Sequence, residues 1–279
     1  IKGDSLKADK PERWATYSPD STWIAFAKNH NLFVMRTNDP DSTEIQLTDD
    51  GERWNSFQAN DGDTTSNKRL RSIARWFEDE KKLWVKRTDK RKVDDLWVIN
   101  TLKKRPELET YKYPMPGEED IFVEEILVFN PETQSRVRLD TDKWEDQALG
   151  GAYFNKGGIF TTKKSDYIYI LRRNRMWNEM DVLKGNTETG EVEVLFSETS
   201  KPYFNTRFAE LAIINEGEEY LWWSERTGWG AFYRYDSEGN LKNTITKGPW
   251  VAGSIAKIDT SARRLFFTGY GREEGQNPY

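Results

Sequence analysis

Few side chains in this sequence could carry out catalysis. The chain has a single histidine, His30, and no cysteine. A histidine works as a general base only beside a nucleophile, and no Gly-x-Ser-x-Gly motif supplies a serine for that role. We therefore interpret His30 as a hydrogen-bonded structural residue, and we expect no catalytic residue in this chain.

Acidic clusters offer a second kind of chemistry, the binding of cations. Asp61 and Asp63 flank Gly62, but the order of residues does not match a calcium-binding loop, and a solvated turn is the simpler interpretation. The acidic residues at 118–120 and 124–125 stand beside many lysines and arginines, which favours surface ion pairs. The sequence predicts no metal site and no cofactor.

Aromatic and glycine-rich stretches could bind organic ligands. Trp222, Trp223 and Trp229 could stack on a sugar or a peptide, yet indole rings at strand positions more commonly pack between neighbouring sheets. The stretch 269–275 has the wrong glycine spacing for a dinucleotide-binding motif, and no helix follows it. We predict packing for the tryptophans and a loop for the glycine-rich stretch.

Composition limits the class of protein. The chain has 279 residues with 12 Trp, 14 Phe and 12 Tyr, enough to fill a large core. A formal net charge of -5 has the wrong sign for nucleic-acid binding. No apolar run approaches the roughly 18 residues that span a bilayer. The sequence predicts a folded protein that does not bind nucleic acid and has no membrane span, and the absence of cysteine leaves its compartment open.

The elements that must position these residues are short strands. Between Leu211 and Gly248, four aromatic and β-branched runs are separated by Gly, Asp and Asn, which is typical of an antiparallel meander. Residues 236–239 are turn formers that let the third run reverse into the fourth. Helical periodicity is nearly absent. The predicted fold class is all-β, a β-propeller of four-stranded antiparallel blades.

The same plan recurs along the chain. We predict blades at about residues 11–50, 70–141, 147–197 and 207–247, and then a half blade at 250–279. The second blade carries a charged insertion at 89–124 whose prolines exclude a central strand, so we expect an extended arm or an edge hairpin. The chain thus supplies about four and a half blades. The open strand edges at its two ends are expected to favour self-association.

Several stretches in order carry a family resemblance: Ser18–Phe26, Tyr113–Glu118, Ser224–Trp229 and Ile245–Val251. Together they resemble landmarks of the amino-terminal β-propeller of dipeptidyl peptidase IV and its relatives in the prolyl oligopeptidase family. Asp95–Asn100 and Leu108–Tyr113 are similar to the versions found in exported peptidases of Bacteroides-like bacteria. The resemblance spans nearly the whole chain.

The resemblance implies a propeller of about eight blades. Such a propeller caps an α/β-hydrolase domain and filters peptide substrates through a shared cavity. The catalytic Ser, Asp and His of the family belong to the carboxy-terminal hydrolase domain, which lies outside this chain. We therefore expect the chain to be the substrate-gating segment of an exported serine exopeptidase, periplasmic or at the surface of a Gram-negative cell. The alternative is a stand-alone propeller that binds a protein or a glycan.

One loop departs from the family pattern. Relatives carry consecutive glutamates after the first of these blades, and those carboxylates hold the amino terminus of the substrate. The corresponding span, Glu52–Ser72, has no adjacent glutamate pair. Asp61 and Asp63 are the acidic residues that could take this role, so they are the candidate substrate-binding residues.

Overall fold

The structure, a computed structural model, describes residues 12–60, 67–151, 154–205 and 208–277. Within these ranges the chain folds almost entirely into antiparallel β-strands, so the predicted all-β class is confirmed. Two short 3-10 segments, Asn155–Gly158 and Asn215–Gly217, lie between strands.

The chain divides into two compact units. The first comprises Ile1–Trp76, Glu80–Phe122 and Ile126–Arg136. The second comprises Phe77–Asp79, Val123–Glu125 and Val137–Tyr279.

The first sheet is a four-stranded meander whose spatial order follows the sequence. Its strands are β1 (Thr16–Tyr17), β2 (Trp23–Lys28), β3 (Asn31–Arg36) and β4 (Ile45–Gln46). The carboxylate of Asp20 accepts the Ser18 hydroxyl at 2.6 Å and the Thr22 backbone N–H at 2.9 Å. These bonds stabilise the turn between β1 and β2, because an aspartate side chain can replace the backbone acceptor of a turn.

The second sheet contains the insertion. The next strands are β5 (Arg75–Trp76), β6 (Leu83–Asp89), β7 (Asp95–Asn100), β8 (Glu107–Lys112), β9 (Val123–Asn130) and β10 (Ser135–Arg138). The sheet has the order β10-β9-β6-β5, whereas β7 and β8 pair only with each other as strands. The insertion is thus a hairpin, one of its two predicted forms.

Aromatic side chains fill the core of the first unit. Phe57 and Phe129 are fully buried and meet edge to face, with ring centroids 6.1 Å apart. Trp23, Val34 and Leu83 belong to the same cluster. The first five residues of β2 are buried, because a central strand packs on both faces.

The second unit contains two larger sheets and a two-stranded one. Its strands are β11 (Ala148–Leu149), β12 (Ile159–Thr161), β13 (Tyr167–Arg173), β14 (Glu179–Asn186), β15 (Val192–Thr199), β16 (Leu211–Ile214), β17 (Glu219–Ser224), β18 (Ala231–Asp236), β19 (Leu241–Thr244), β20 (Val251–Asp259) and β21 (Arg264–Tyr270). One sheet has the order β11-β13-β14-β15, with β12 also paired to β13, and the next has the order β16-β17-β18-β19. The last two strands pair with each other.

The core of the second unit confirms one prediction and corrects another. Trp222 and Trp223 are buried in its main cluster, as the packing interpretation requires. The loop predicted at 269–275 is wrong at its start, because Gly269 and Tyr270 extend β21 by pairing with Ala252 and Val251. Cross-strand pairing outweighs the turn preference of glycine there.

Candidate functional site

The acidic residues predicted to bind substrate, Asp61 and Asp63, lie outside the described residues. His30 is described, and it occupies the turn between β2 and β3 with φ 66°. Its Nδ1 lies 3.0 Å from the Oγ of Ser56. Ser56 is buried, and its Oγ also accepts the Gln58 N–H at 3.0 Å. This serine is closed off from substrate, so the contact is structural.

The acidic run at 118–125 makes more than surface ion pairs. Glu125 does pair with Arg138, at 3.0 Å. Glu118 instead accepts the Met115 N–H at 2.6 Å, which closes a turn. Glu124 accepts the Leu149 N–H at 2.7 Å. The Glu125–Arg138 pair confirms the ion-pair prediction at that residue, and Glu118 and Glu124 also accept backbone N–H groups.

In the second unit, several connecting loops meet at one end of the strands. We call this the turn end, and it consists of residues 174–178, 200–205, 225–230 and 245–250. The Phe204 N–H donates to the Trp177 carbonyl at 2.8 Å, and the Asn205 amide donates to Glu225 at 3.2 Å. The Ala252 N–H donates to the Gly230 carbonyl at 2.8 Å. These bonds hold loops from neighbouring sheets against one another, which lets side chains from distant parts of the sequence form a common surface.

Glu198, near the end of β15, anchors a polar cluster at the turn end. Its carboxylate accepts the Trp222 indole N–H at 2.7 Å, the Ser224 hydroxyl, and the Arg226 guanidinium at 2.5 Å. Arg226 also donates to the Tyr235 hydroxyl at 2.8 Å. Charge-assisted hydrogen bonds of this kind fix both partners in one geometry. The cluster makes a rigid wall.

A small cavity of about 50 Å³ lies beside this wall. Glu225, Asn205 and Ser200 contribute polar groups to its lining, and Phe204 and Trp222 contribute apolar ones. Burial raises the pKa of the Glu225 carboxyl, and the hydrogen bond from Asn205 offsets this only in part. Because a water molecule occupies about 30 Å³, the cavity has room for one or two waters or for a single small polar group.

A second and larger cavity, of about 330 Å³, opens further along the turn end. We call it the Trp cavity, and its lining includes Thr227, Trp229, Thr244, Thr246, Lys247 and Trp250. Trp229 and Trp250 are partly buried and pack against the main core cluster. The cavity is therefore an extension of the core surface that stays open to solvent.

A buried ion pair supports the turn at 174–178. Arg172 in β13 donates to Asp181 in β14 at 2.7 Å, and Lys143 reaches the same carboxylate oxygen at 2.9 Å. The Ser197 hydroxyl donates to its other oxygen at 2.5 Å. Burial raises the pKa of Asp181, but the hydrogen bonds from Ser197, Arg172 and Lys143 outweigh this effect and hold the pKa below its usual value. The carboxylate thus stays ionised inside the unit.

The part of the chain that the structure describes contains no group of three or more His, Cys, Asp or Glu side chains arranged to hold a metal ion. None of its helices is long and apolar enough to cross a membrane.

Sequence reasoning missed Glu198, Glu225 and Arg226. Glu225 and Arg226 follow the aromatic strand β17, and two charges directly after a buried run are a recognisable signal for a site at a strand end. Glu198 alternates with exposed residues along β15, and its pattern carries no such signal. Its partners come from the next sheet, so only tertiary structure reveals it.

Solved structures share this fold. The crystal structure of Porphyromonas gingivalis dipeptidyl peptidase 4 matches with a TM-score of 0.71 and 21% identity, over 93% of this chain and 36% of that one. A putative dipeptidyl aminopeptidase IV from Bacteroides ovatus matches with a TM-score of 0.67 and 19% identity, over 94% and 38% of the two chains. The chain therefore spans little more than a third of each, and at this identity the likeness establishes the fold alone.

Sequence comparison gives the family. Dipeptidyl peptidase 4 from Arthroderma otae is 34% identical over 55 residues, which cover 20% of this chain and 7% of that protein. The Trichophyton rubrum protein of the same name matches to the same extent. The family model for the dipeptidyl peptidase IV N-terminal region matches residues 3–279. The chain belongs to the family of dipeptidyl peptidase IV N-terminal regions.

Proposed function

We propose that this chain is the substrate-gating propeller segment of a serine exopeptidase of the dipeptidyl peptidase IV family, and that it is not catalytic alone. The family match over residues 3–279 carries the proposal. The geometry around His30 supports its second part, because the serine within reach of the imidazole is buried. Acyl transfer needs an accessible nucleophile, a base and an oxyanion hole together.

The partner of the chain is then a carboxy-terminal α/β-hydrolase domain of the same parent protein, and the ligands are peptides. The propeller segment comprises blades at about residues 11–50, 70–141, 147–197 and 207–247 with a half blade at 250–279. We assign the turn end of the second unit as the peptide-facing surface. It combines a rigid polar wall at Glu198, a carboxyl of raised pKa at Glu225 and the Trp cavity. Convergent polar groups beside apolar cavities are the usual form of a ligand site.

The test compares the 279-residue chain with its full-length parent. The chain alone should release no chromophore from Gly-Pro or Ala-Pro chromogenic substrates, whereas the parent should do so and lose activity to a serine-directed inhibitor. The sequence of the parent should contain about 250 residues with Gly-x-Ser-x-Gly, then Asp, then His. A chain that turns over substrate by itself, or a parent without that domain, refutes the proposal.

Asp61 and Asp63 remain the proposed contacts for the amino terminus of the substrate. Without an adjacent glutamate pair, the loop makes fewer charge-assisted hydrogen bonds to the substrate's ammonium group, each worth roughly 1.5–3 kcal/mol. The parent should therefore show broader specificity than a strict dipeptidyl aminopeptidase. Acetylating the amino terminus of a short substrate should lower kcat/KM by less than about a hundredfold. If acetylation lowers kcat/KM by more than this, and the double variant Asp61→Ala with Asp63→Ala no longer shows the difference, the loop recognises the free amine strictly.

A stand-alone propeller that binds a protein or a glycan is the second candidate. The exposed β7–β8 hairpin favours it, because Trp97, Ile99 and Leu108 are 71%, 64% and 66% exposed. Exposed apolar patches mark interaction surfaces. The same residues, together with the open edge of the β20–β21 sheet, also support self-association of the chain.

An exported location, in the periplasm or at the surface of a Gram-negative bacterium, completes the proposal. The likeness to the Porphyromonas gingivalis and Bacteroides ovatus proteins supports it. Fractionation of cells that produce the full-length parent, with a cytoplasmic enzyme as marker, should place it outside the cytoplasm. Recovery with the cytoplasmic marker would contradict this.

A further inference from the structure

The Trp cavity has an unusual charge balance. None of its lining residues is acidic, and Lys247 is the one charged residue among them. Within the described ranges the Lys247 side chain makes no hydrogen bond or ion pair. A cationic group beside a preformed apolar cavity attracts a ligand that joins an anion to an apolar body.

The wall on the Lys247 side is fixed before any ligand arrives. The Trp250 indole N–H donates to the Lys247 carbonyl at 3.0 Å, and its ring stacks on Phe267 with centroids 6.0 Å apart. Gly248 has φ +134°, and a Cβ there would lie 2.4 Å from Trp250 Nε1. Glycine at this position therefore lets the indole fold back over the turn, which makes the wall a built feature.

Two threonine hydroxyl groups in the lining of the Trp cavity can form hydrogen bonds with a ligand. The Oγ1 of Thr246 accepts the Phe232 N–H at 2.9 Å, which leaves its own proton free to be donated. The Oγ1 of Thr227 lies 3.3 Å from the Tyr233 hydroxyl, where either atom can donate. The cavity thus offers hydrogen-bond donors and a cation but no carboxylate.

The volume of the Trp cavity limits the size of the ligand. A volume of about 330 Å³ is at the small end of ligand pockets. It accommodates one amino-acid residue or one sugar unit rather than a folded partner. Trp250 is already stacked on Phe267 and has the Arg272 guanidinium 5.4 Å from its ring centroid, so protein groups engage the ring surfaces that a sugar would use.

We propose that the Trp cavity binds a peptide residue that combines an apolar side chain with a carboxylate, and that Lys247 pairs with this carboxylate. The choice of a peptide over an acidic sugar rests partly on the proposed peptide-gating function. The apolar side chain lies in the cavity that Trp229 and Trp250 help to line, and the carboxylate lies beside Lys247.

The test measures binding of two probes to the 279-residue chain by isothermal titration calorimetry. N-acetyl-L-phenylalanine carries the carboxylate, and N-acetyl-L-phenylalaninamide has the same shape without the charge. The acid should bind about tenfold more tightly than the amide, a ratio that corresponds to about 1.4 kcal/mol. Lys247→Gln should abolish this preference. Lys257→Gln, at an exposed lysine of β20 outside the cavity, should keep it.

Ala231→Leu provides a second variant, because Ala231 lines the cavity and a larger side chain fills it. With an unchanged circular dichroism spectrum, this variant should bind neither probe. Equal binding of acid and amide by the wild-type chain, or equal behaviour of Lys247→Gln and Lys257→Gln, overturns the inference. Tighter, Lys247-dependent binding of glucuronate overturns the peptide assignment.

These outcomes are distinct from those that test the proposed function, since the binding assay needs no hydrolase domain. A parent without peptidase activity whose chain still prefers the acid through Lys247 refutes the proposed function alone. An active parent whose chain shows no such preference refutes the cavity inference alone.

Discussion

The Nζ of Lys156 lies 2.5 Å from the Oε1 of Glu210, which joins a half-exposed lysine in the 155–158 segment to a fully buried carboxylate before β16. The other carboxylate oxygen, Oε2, accepts the Ile255 N–H at 3.0 Å. Glu210 therefore connects three separate stretches of the second unit.

Loss of the lysine should destabilise the fold. Lys156→Met leaves the Glu210 carboxylate buried without its counter-ion, and we expect the free energy of unfolding to fall by about 1–3 kcal/mol. Lys156→Met combined with Glu210→Gln should lose less than the sum of the single variants, because the amide needs no counter-ion. Urea denaturation measures both, with Lys257→Met as the control. Simple additivity would contradict the coupling.

Asp181 should make the fold sensitive to acid. Its folded-state pKa is lowered, so the unfolded chain binds more protons in the interval between the two pKa values, and stability rises with pH there. The contribution of Asp181 is complete above the unfolded value of about 3.9 and is lost as the pH falls through the folded value.

Asp181→Asn should therefore lose about 2–4 kcal/mol at pH 7, and the difference from the wild type should shrink as the pH falls through the folded-state pKa of Asp181. Chemical denaturation at a series of pH values measures this, and Asp140→Asn, at an exposed position, is the control. A difference that stays constant with pH would show that the charge of Asp181 contributes nothing.

The ionisation of Glu225 should lower the stability of the fold as the pH rises, which is the opposite of the effect of Asp181. The pKa of Glu225 is raised, so the folded chain binds more protons in the interval between the unfolded and folded values, and stability falls as the pH rises through it. Glu225→Gln removes the cost of ionising a desolvated carboxyl. We expect a melting temperature about 1–3 °C above wild type at pH 8, with the gain shrinking toward pH 4. Glu238→Gln, on an exposed turn, should give no such trend.

Alanine substitutions at Gly217 and Gly228 should distinguish the cost of backbone strain from the cost of a steric clash. Gly217 has φ +101°, and a Cβ there would lie 2.2 Å from the Tyr169 hydroxyl. Gly228 has φ +90° with nothing within 4 Å of a Cβ. Gly228→Ala should cost about 1–2 kcal/mol from the left-handed backbone alone. Gly217→Ala should cost a further 1–3 kcal/mol or so from overpacking. Equal losses in urea denaturation would indicate that Tyr169 moves freely.

The β7–β8 hairpin should promote self-association. Trp97 and Ile99 lie on one face because alternate residues of a strand point the same way. Trp97→Ser with Ile99→Ser should raise the dissociation constant at least about tenfold, as sedimentation velocity over a range of concentrations would measure. Val98→Ser, on the opposite face, is the matched control. A wild-type chain that stays monomeric at high concentration would contradict the proposal.

Local patterns predicted most of the strands, and tertiary contacts decide the rest. The aromatic run at 220–223 and the turn at 236–239 are specified by neighbouring residues, so β17, β18 and β19 could be read from the sequence. The insertion at 89–124 could be recognised as an arm or hairpin from its prolines and charges. Glu210 could not be recognised as buried, because its burial depends on Lys156 and Ile255, which are distant in sequence. The Trp cavity depends likewise on a glycine turn and a stacked ring that no spacing reveals.

The hairpin of β7 and β8 shares no sheet hydrogen bonds with the blade from which it emerges. The length and the exposed residues of the hairpin can therefore change during evolution while the strands of the parent blade keep their register. Related proteins with the same blades can acquire different partners through this segment. The same independence makes the tip between Asn100 and Glu107 a natural graft point, where a foreign epitope or a fluorescent reporter can be inserted without repacking the core.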